Sequence, residues 1–470
     1  MTSAQLSRGT GTRRSRPSSA TNPIRYPDVG SRHTMTKRAW WLVILNIVLP
    51  GSAQALAGNR GLGRFGLRAT LLLVVLAGVG AAAYALRPEL VLGLFTNTAG
   101  LWSIAVVLAV YAVIWLVLSL DTLRIARLAR IAAGARPMIV VFATAIMVVV
   151  SGGAGYGAYV AITASGFLSS VFVAGPPVEP IDGRYNILLL GGDAGADREG
   201  LRPDSISVVS IEAATGAATI INLPRNLEDV PFPDDSPLSP IYPEGYGALR
   251  GCYVSACMLN SLFTEVELKS PELYPDALAE DSRPGIEAMR DAVRGITGLT
   301  LQYYVLIDMQ GFSDLIDALG GVDIDVQNRV PVHADESFTT VAFWFEPGMQ
   351  HMDGYHALWF ARSRHGTSDY DRIQPQTQLQ EALLAQASPS NVLAKFQGVA
   401  QAGSQVVKTD VPQGMLAYFV GLAKKTRDQP ITTVPLIPDN GVDPENPDYS
   451  QIRQLISDAL TPAATSDPAS

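Results

Sequence analysis

The sequence predicts an α/β domain, a central mixed β-sheet flanked by helices, preceded by an α-helical membrane region. Three observations predict it. Residues 1–181 carry 16 Lys/Arg against 4 Asp/Glu, a net of +12, whereas residues 182–470 carry 19 against 39, a net of −20. The first half holds four apolar blocks. The second interleaves short β-branched runs with stretches of helical spacing, the pattern of a layered α/β domain. The charge asymmetry marks two environments rather than one basic surface. With no zinc-ligand spacing and no basic–aromatic alternation, nucleic acid is not an expected partner.

Residues 1–38 are rich in Ser, Thr, Pro and Arg and show no hydrophobic periodicity, so they read as a disordered basic leader. The apolar blocks follow at Trp40–Ala57, Leu71–Leu86, Leu101–Leu120 and Met138–Ile162. A helix of about 20 apolar residues crosses the hydrocarbon layer, and the last three blocks meet that length with their flanks. The first is interrupted at Leu49-Pro50-Gly51-Ser52. The leader, the loop with Arg60, Arg64 and Arg68, and the loop with Arg124, Arg127, Arg130 and Arg136 are all basic. If basic stretches stay in the cytoplasm, the first block enters and leaves on one side or lies in the interface, and the other three cross. The expected division is a leader over 1–38 and a membrane region over 39–163, re-entrant or interfacial at 40–57 and transmembrane at about 69–86, 101–120 and 138–162. A linker over 164–183, the α/β domain over 184–460 and a polar tail over 461–470 complete it. The N-terminus is then cytoplasmic and the domain extracytoplasmic, in a multi-pass protein of the cell membrane.

Within the domain, Tyr185–Leu190 suits a buried strand, and Ser205–Ile211 and Ala218–Leu223 form a hairpin around Thr215-Gly216. Leu301–Asp308 is a further strand. Gly311–Leu319 has helical spacing and ends at Gly320-Gly321, and Val322–Val326 alternates as a strand. Asp353 can cap a helix that carries Ala357, Leu358 and Phe360. Helices are expected near Thr377–Ala387, Val392–Ala402, Gln413–Thr426 and Tyr449–Leu460. Cys252 and Cys257 are the chain's two cysteines. Outside the cytoplasm an oxidant is available and so short a loop can bring them into bridging range, so a local disulfide is expected.

Arg362, Arg364 and Arg372 fall within eleven residues, beside Asp369 and Asp371. Alone, such a cluster fits a solvated loop or local ion pairs as well as a phosphate site, for which the guanidinium fork is suited. Asp193 and Asp204 stand at the ends of neighbouring strands, where two carboxylates hold Mg²⁺ (or another divalent cation) or simply serve turns. Arg225 also emerges at a strand end, where ligands of open α/β sheets collect.

Together these residues resemble the LytR–CpsA–Psr (LCP) family of cell-wall glycopolymer ligases, of the actinobacterial type with several membrane segments. The resemblance runs through Leu190-Gly-Gly-Asp193, Arg202-Pro-Asp204, Pro224-Arg225, Leu319-Gly-Gly-Val-Asp323, Glu346–Gly354, Arg362-Ser-Arg364, Asp369 and Arg372, in order, over residues 184–460. Asn226 stands where the family usually has Asp. In Ile373-Gln-Pro375-Gln376, Pro375 stands where an Arg usually precedes the Gln.

The resemblance implies an LCP-like fold and transfer of a phosphoglycan from a polyprenyl-pyrophosphate carrier to a peptidoglycan acceptor. It implies that Arg225, Arg362, Arg364 and Arg372 clamp the pyrophosphate, with Arg202 and Gln376 binding substrate. Asp193 and Asp204 would hold Mg²⁺. Asp369 orients or deprotonates the acceptor hydroxyl, or fixes Arg372. The prenyl tail needs an apolar channel, for which Tyr303, Val305, Phe312, Leu315 and Ile316 are candidates if they are not plain core. His351, His356 and His365 are read as incidental. The two departures leave open a weakened paralogue that binds lipid pyrophosphate as a regulator or scaffold, and a pyrophosphatase is a third option.

Overall fold

The computed structural model describes residues 24–193, 201–248, 251–333, 339–363, 372–386 and 407–461. The chain divides into two compact units, one of residues 1–85 and 104–159, the other of 86–103 and 160–470.

In the first unit, α1 (Arg32–Val48) and α2 (Ser52–Ala57) flank the break at Leu49-Pro50-Gly51. The helix starts at Arg32, six residues inside the leader expected to be disordered through 38. The reason is local. Ser31 caps the helix through the Thr34 N–H at 3.3 Å, and the buried Arg38 donates to the carbonyls of Ile24 and Ile125. The long helices are α3 (Arg60–Leu86), α5 (Thr98–Ala126) and α6 (Ala135–Val171), with the short α4 (Pro88–Phe95) between the first two. Among the described residues, three segments are long and apolar enough to cross a membrane, Arg60–Leu86, Thr98–Arg130 and Ala135–Val171. The first apolar block is not one of them. Val43, Trp40 and Ile47 pack with Ala126, Ile131 and Ile139, and polar contacts add to this, with Gln54 donating to the Leu118 carbonyl at 2.7 Å and to the Thr122 hydroxyl at 2.9 Å, and Asn46 to Ser119 at 3.3 Å. Gly63 is required there, since a Cβ would come within 2.3 Å of the Ala55 nitrogen. The helix α6 runs to Val171, so the linker expected from 164 begins only at 172.

The second unit is built on a six-stranded mixed sheet. Its strands are β1 (Arg184–Asp193), β2 (Arg202–Glu212), β3 (Ala218–Leu223), β4 (Tyr303–Asp308), β9 (Val407–Thr409) and β10 (Thr432–Pro435), in the spatial order β10-β3-β2-β1-β4-β9. The expected hairpin is β2–β3, antiparallel from Ile206↔Leu223 to Ile211↔Ala218. Strands β1 and β4 are parallel, as are β3 and β10. The carboxyl ends of β1, β3, β4 and β10 and the amino end of β2 therefore meet at one edge.

Period-two alternation assigns the two faces. Leu188, Leu190, Ile206, Val208, Tyr304 and Leu306 face a core completed by α7 (Leu259–Lys269), α8 (Pro284–Thr297) and a C-terminal helix at Tyr449–Leu460. On the opposite face, Tyr185 and Tyr303 pack with Met415 and Leu422. Nearer the carboxyl edge that face is covered by α9 (Met309–Leu319), α10 (Gly354–Arg362) and α11 (Ile373–Gln386). Two small antiparallel pairs join this cover, β5 (Val322–Val326) with β8 (Gly348–Met352) and β6 (Val330–Val332) with β7 (Phe343–Phe345). Asp353 caps α10 through the His356 N–H, as its position foretold. The helix expected over Val392–Ala402 lies outside the described residues. The last helices are α12 (Leu416–Thr426) and α13 (Tyr449–Leu460).

The second unit also takes in chain from between the long helices. Helix α4 packs on α12, and Thr98 donates to the Gln413 side-chain carbonyl at 2.6 Å. Gln413 in turn bonds to the carbonyls of Leu168, Phe172 and Val173.

Cys252 and Cys257 form the expected disulfide, with Cα atoms 5.5 Å apart. Their loop is held by the buried carboxylate of Glu265, which accepts from the Tyr242 hydroxyl, from the Tyr246 hydroxyl at 2.7 Å and from the Tyr253 N–H at 3.1 Å. Burial, reinforced by that carboxylate, holds the Tyr246 hydroxyl well above its usual pKa, so it remains a donor.

Candidate functional site: a charged edge beside an apolar cavity

The site forms where the strand ends converge. The register of β1 against β2 shifts between Gly191 and Gly192, leaving Asp204 unpaired at the bulge while Asp193 stands opposite Arg202. The Arg225 loop follows β3. Its carbonyls at Arg225 and Leu227 accept the N–H groups of Asn260 and Leu259, at 3.0 and 2.9 Å. These are first-turn donors of α7 that no intrahelical partner satisfies. Thr264, one turn on, donates to the Leu201 carbonyl at 2.9 Å, so one helix secures both the start of β2 and the Arg225 loop.

Asp204 is the hub. Its Oδ1 accepts from Arg225 Nη1 at 2.7 Å, and its Oδ2 lies 3.7 Å from Arg372 Nη1. Arg372 is buried, at 8 % exposure, a placement that a guanidinium tolerates beside a carboxylate. Arg362 packs over the Trp359 ring at 5.1 Å and meets the Met309 sulfur at 2.8 Å. Gln376 donates to the Ala361 carbonyl at 3.3 Å and ties α11 to α10.

Asp204, Arg362, Arg372 and Gln376 line a cavity of about 190 Å³. Its walls are otherwise mostly apolar, with Leu189, Val305, Ile307, Phe312, Leu358 and Leu379 among them, and Ser205, Asp308 and Gln380 add polar groups. Of the expected channel residues, Val305 and Phe312 line it. Tyr303 belongs to the core against α12 and Ile316 to the core beneath β5, and Leu315 is not among the lining residues. Leu189 was legible in principle, because Leu188 and Leu190 face the other core and alternation turns it over. Leu379 and Leu383 lie on the α11 face that also carries Gln376 and Gln380. Asp308, at the end of β4, lines the same cavity and was not singled out. The available signal was a carboxylate ending a strand, as at Asp193.

The structure thus brings together Asp204, Arg225, Arg362, Arg372 and Gln376. Arg202 lies at the start of β2 but not in the cavity lining. Arg364 and Asp369 lie outside the described residues, as does the side chain of Asp193. Pro375 is buried in the first turn of α11, where proline is tolerated. His351 and His356 bond to Asp323 and Asp353, and His365 lies outside the described residues.

The residues that could hold a cation here are Asp204 and Asp193. Asp204 Oδ2 stands beyond hydrogen-bond range of Arg372, so it keeps lone-pair capacity, and Asp193 ends the adjoining strand. Among the described residues no group of three or more His, Cys, Asp or Glu gathers. Mg²⁺ characteristically takes one or two carboxylates and fills its shell with water and phosphate.

The fold and site define an α/β protein with a basic, carboxylate-balanced edge beside an apolar cavity, joined to several membrane-spanning helices. A profile of the LytR_cpsA_psr family matches residues 174–462, and the chain belongs to that family. The "Cell wall biosynthesis protein LcpA" of Corynebacterium glutamicum is 27 % identical over 308 residues, 59 % of this chain and 56 % of that protein. The "Polyisoprenyl-teichoic acid--peptidoglycan teichoic acid transferase TagV" of Bacillus subtilis is 30 % identical over 135 residues, 28 % of this chain and 34 % of that protein. The chain therefore spans from a third to just over half of the length of these relatives. Among solved structures, B. subtilis TagV is similar with a TM-score of 0.41 and 20 % identity, over 59 % of this chain and 95 % of that one.

Proposed function

We propose that this protein is an actinobacterial-type phosphotransferase that moves a phosphoglycan from a polyprenyl-pyrophosphate carrier to peptidoglycan, on the outer side of the cell membrane. The observation that carries the reading is the shared cavity. Arg362 and Arg372 line it together with a mostly apolar wall, which suits a ligand that is anionic at one end and a hydrocarbon at the other. Family membership and the printed names of the two curated relatives support it.

In this reading Arg225, Arg362, Arg364 and Arg372 bind the pyrophosphate, Arg202 and Gln376 assist, and Asp369 orients or deprotonates the acceptor hydroxyl, or fixes Arg372. Asp204 holds Arg225 in place, and the apolar wall takes the first prenyl units. Phosphoryl transfer depends mainly on positioning and on charge stabilisation. Mg²⁺ held by Asp193 and Asp204 would supply further neutralisation of phosphate charge. Purified full-length protein in nanodiscs, given a polyprenyl-pyrophosphoryl glycan and peptidoglycan, should form the glycan–peptidoglycan linkage. Replacing Arg372 with alanine should slow this by about 10²–10³-fold, the cost of losing one transition-state charge partner. Unchanged transfer by Arg372→Ala sinks the site, and glycan phosphate released without linkage to peptidoglycan would favour a pyrophosphatase.

The N-terminus is cytoplasmic in this reading, with the first apolar block re-entrant or interfacial. A reporter active only outside the cytoplasm should be active when fused after residue 184 and silent when fused at the N-terminus. The opposite pattern rejects the three-crossing topology.

A further inference from the structure

We infer that Asp308, which lies outside the Arg and Asp motifs, accepts the proton of the attacking acceptor hydroxyl. The inference rests on the transfer reading above. Three adjacent strands, β2, β1 and β4, each have an aspartate at the same edge of the sheet, Asp204, Asp193 and Asp308. Asp204 and Asp308 line the cavity with Arg362 and Arg372, and they are not equivalent. Asp204 is set against two guanidiniums, at 2.7 and 3.7 Å, which suits it to orient them. Among the described residues Asp308 makes no ion pair. Its Oδ1 accepts the Gly311 N–H at 2.8 Å, as the cap of α9. That bond holds the carboxylate rigid and leaves Oδ2 with its lone pairs.

The surroundings favour a substrate contact. Asp308 stands opposite Gly192 in the parallel register and next to the Gly191–Ile307 pair, so no side chain projects from β1 at that point. The charged groups that line the cavity with it, among the described residues, are Asp204 on β2, Arg362 on α10 and Arg372 ahead of α11. With the pyrophosphate on the guanidiniums, Asp308 is, among the described residues lining the cavity, the carboxylate left to take a proton. In the step, the acceptor oxygen bonds to the phosphorus nearest the glycan while its proton passes to Asp308. The bond from that phosphorus to the bridging oxygen breaks, and polyprenyl phosphate leaves with the electron pair. A positioned base of this kind contributes about 10²–10⁴-fold.

Asp308→Asn separates base from cap, because asparagine caps helices as well as aspartate does. The variant should lower kcat for transfer from a prenyl-pyrophosphoryl disaccharide to peptidoglycan by about 100-fold or more. Its melting temperature should match wild type. Its affinity for geranylgeranyl pyrophosphate should be no weaker, since an anion has been removed beside an anionic ligand. Near-wild-type turnover in D308N overturns the assignment. So does a loss accompanied by weaker prenyl-pyrophosphate binding or lower stability, which marks a structural cap, or a loss restored by raising Mg²⁺, which marks a cation ligand. A wild type that transfers nothing sinks the transfer reading and this role with it, whereas activity in both proteins sinks the role alone.

Discussion

Asp204→Ala is expected to lower transfer by about 10³-fold, at the upper end of what the loss of one arginine of the site should cost. The reason lies in its two oxygens. One orients Arg225 at 2.7 Å, and the other faces the buried Arg372 at 3.7 Å. Removing the carboxylate leaves two guanidiniums near each other with less to balance them, and it takes away one of the proposed cation ligands. Loss of a charged hydrogen bond costs about 1.5–3 kcal/mol, and partial solvation of Arg225 and Asp204, at 23 % and 17 % side-chain exposure, places the stability loss toward the lower end. The effect on rate should therefore far exceed the effect on melting temperature. Asp204→Asn keeps an acceptor for Arg225 but not the charge, so it should fold as wild type does and still transfer poorly. Turnover of D204A within tenfold of wild type would show that Asp204 is structural.

Val305→Trp should weaken binding of the lipid carrier about 100-fold while sparing the charged edge. Val305 lines the cavity from β4, and an indole there occupies much of its roughly 190 Å³. Each buried methylene is worth about 0.8 kcal/mol, so excluding about four of them lowers affinity by about 3 kcal/mol, near 100-fold. Calorimetry with geranylgeranyl pyrophosphate should show that loss, and binding of inorganic pyrophosphate should change little. Equal weakening of both ligands would mean that the substitution disturbs the arginines. Retention of both would place the prenyl chain elsewhere.

Much of this architecture was readable from local patterns, because those patterns are themselves the physical cause. Alternation in Val322–Val326 became a strand buried at every second residue, and the Thr215-Gly216 turn set the β2–β3 register. Gly320 ends α9 in the left-handed conformation that glycine favours. Asp204, Arg225 and Arg372 were expected to converge, and they do. What escaped depended on long-range partners. Nothing local to Arg38 says that the carbonyl of Ile125 will hold it, so the start of α1 looked like leader. Leu189 and Leu379 line a cavity that exists only once α11 lies across the sheet. Asp308 was overlooked because a strand-terminal aspartate ordinarily reads as a helix cap, and here it is that as well.

The unit that carries the site is not one continuous length of chain. Residues 86–103 belong to it, and Thr98 bonds to Gln413 across a separation of 315 residues. At synthesis rates of about 5–20 residues per second, that early strip precedes its docking partner by roughly 15–60 s. The strip is thus in place as a waiting seat before the domain that will rest on it has been made. A fragment beginning at residue 184 would have to fold without that seat, with the face of α12 that receives α4 left bare.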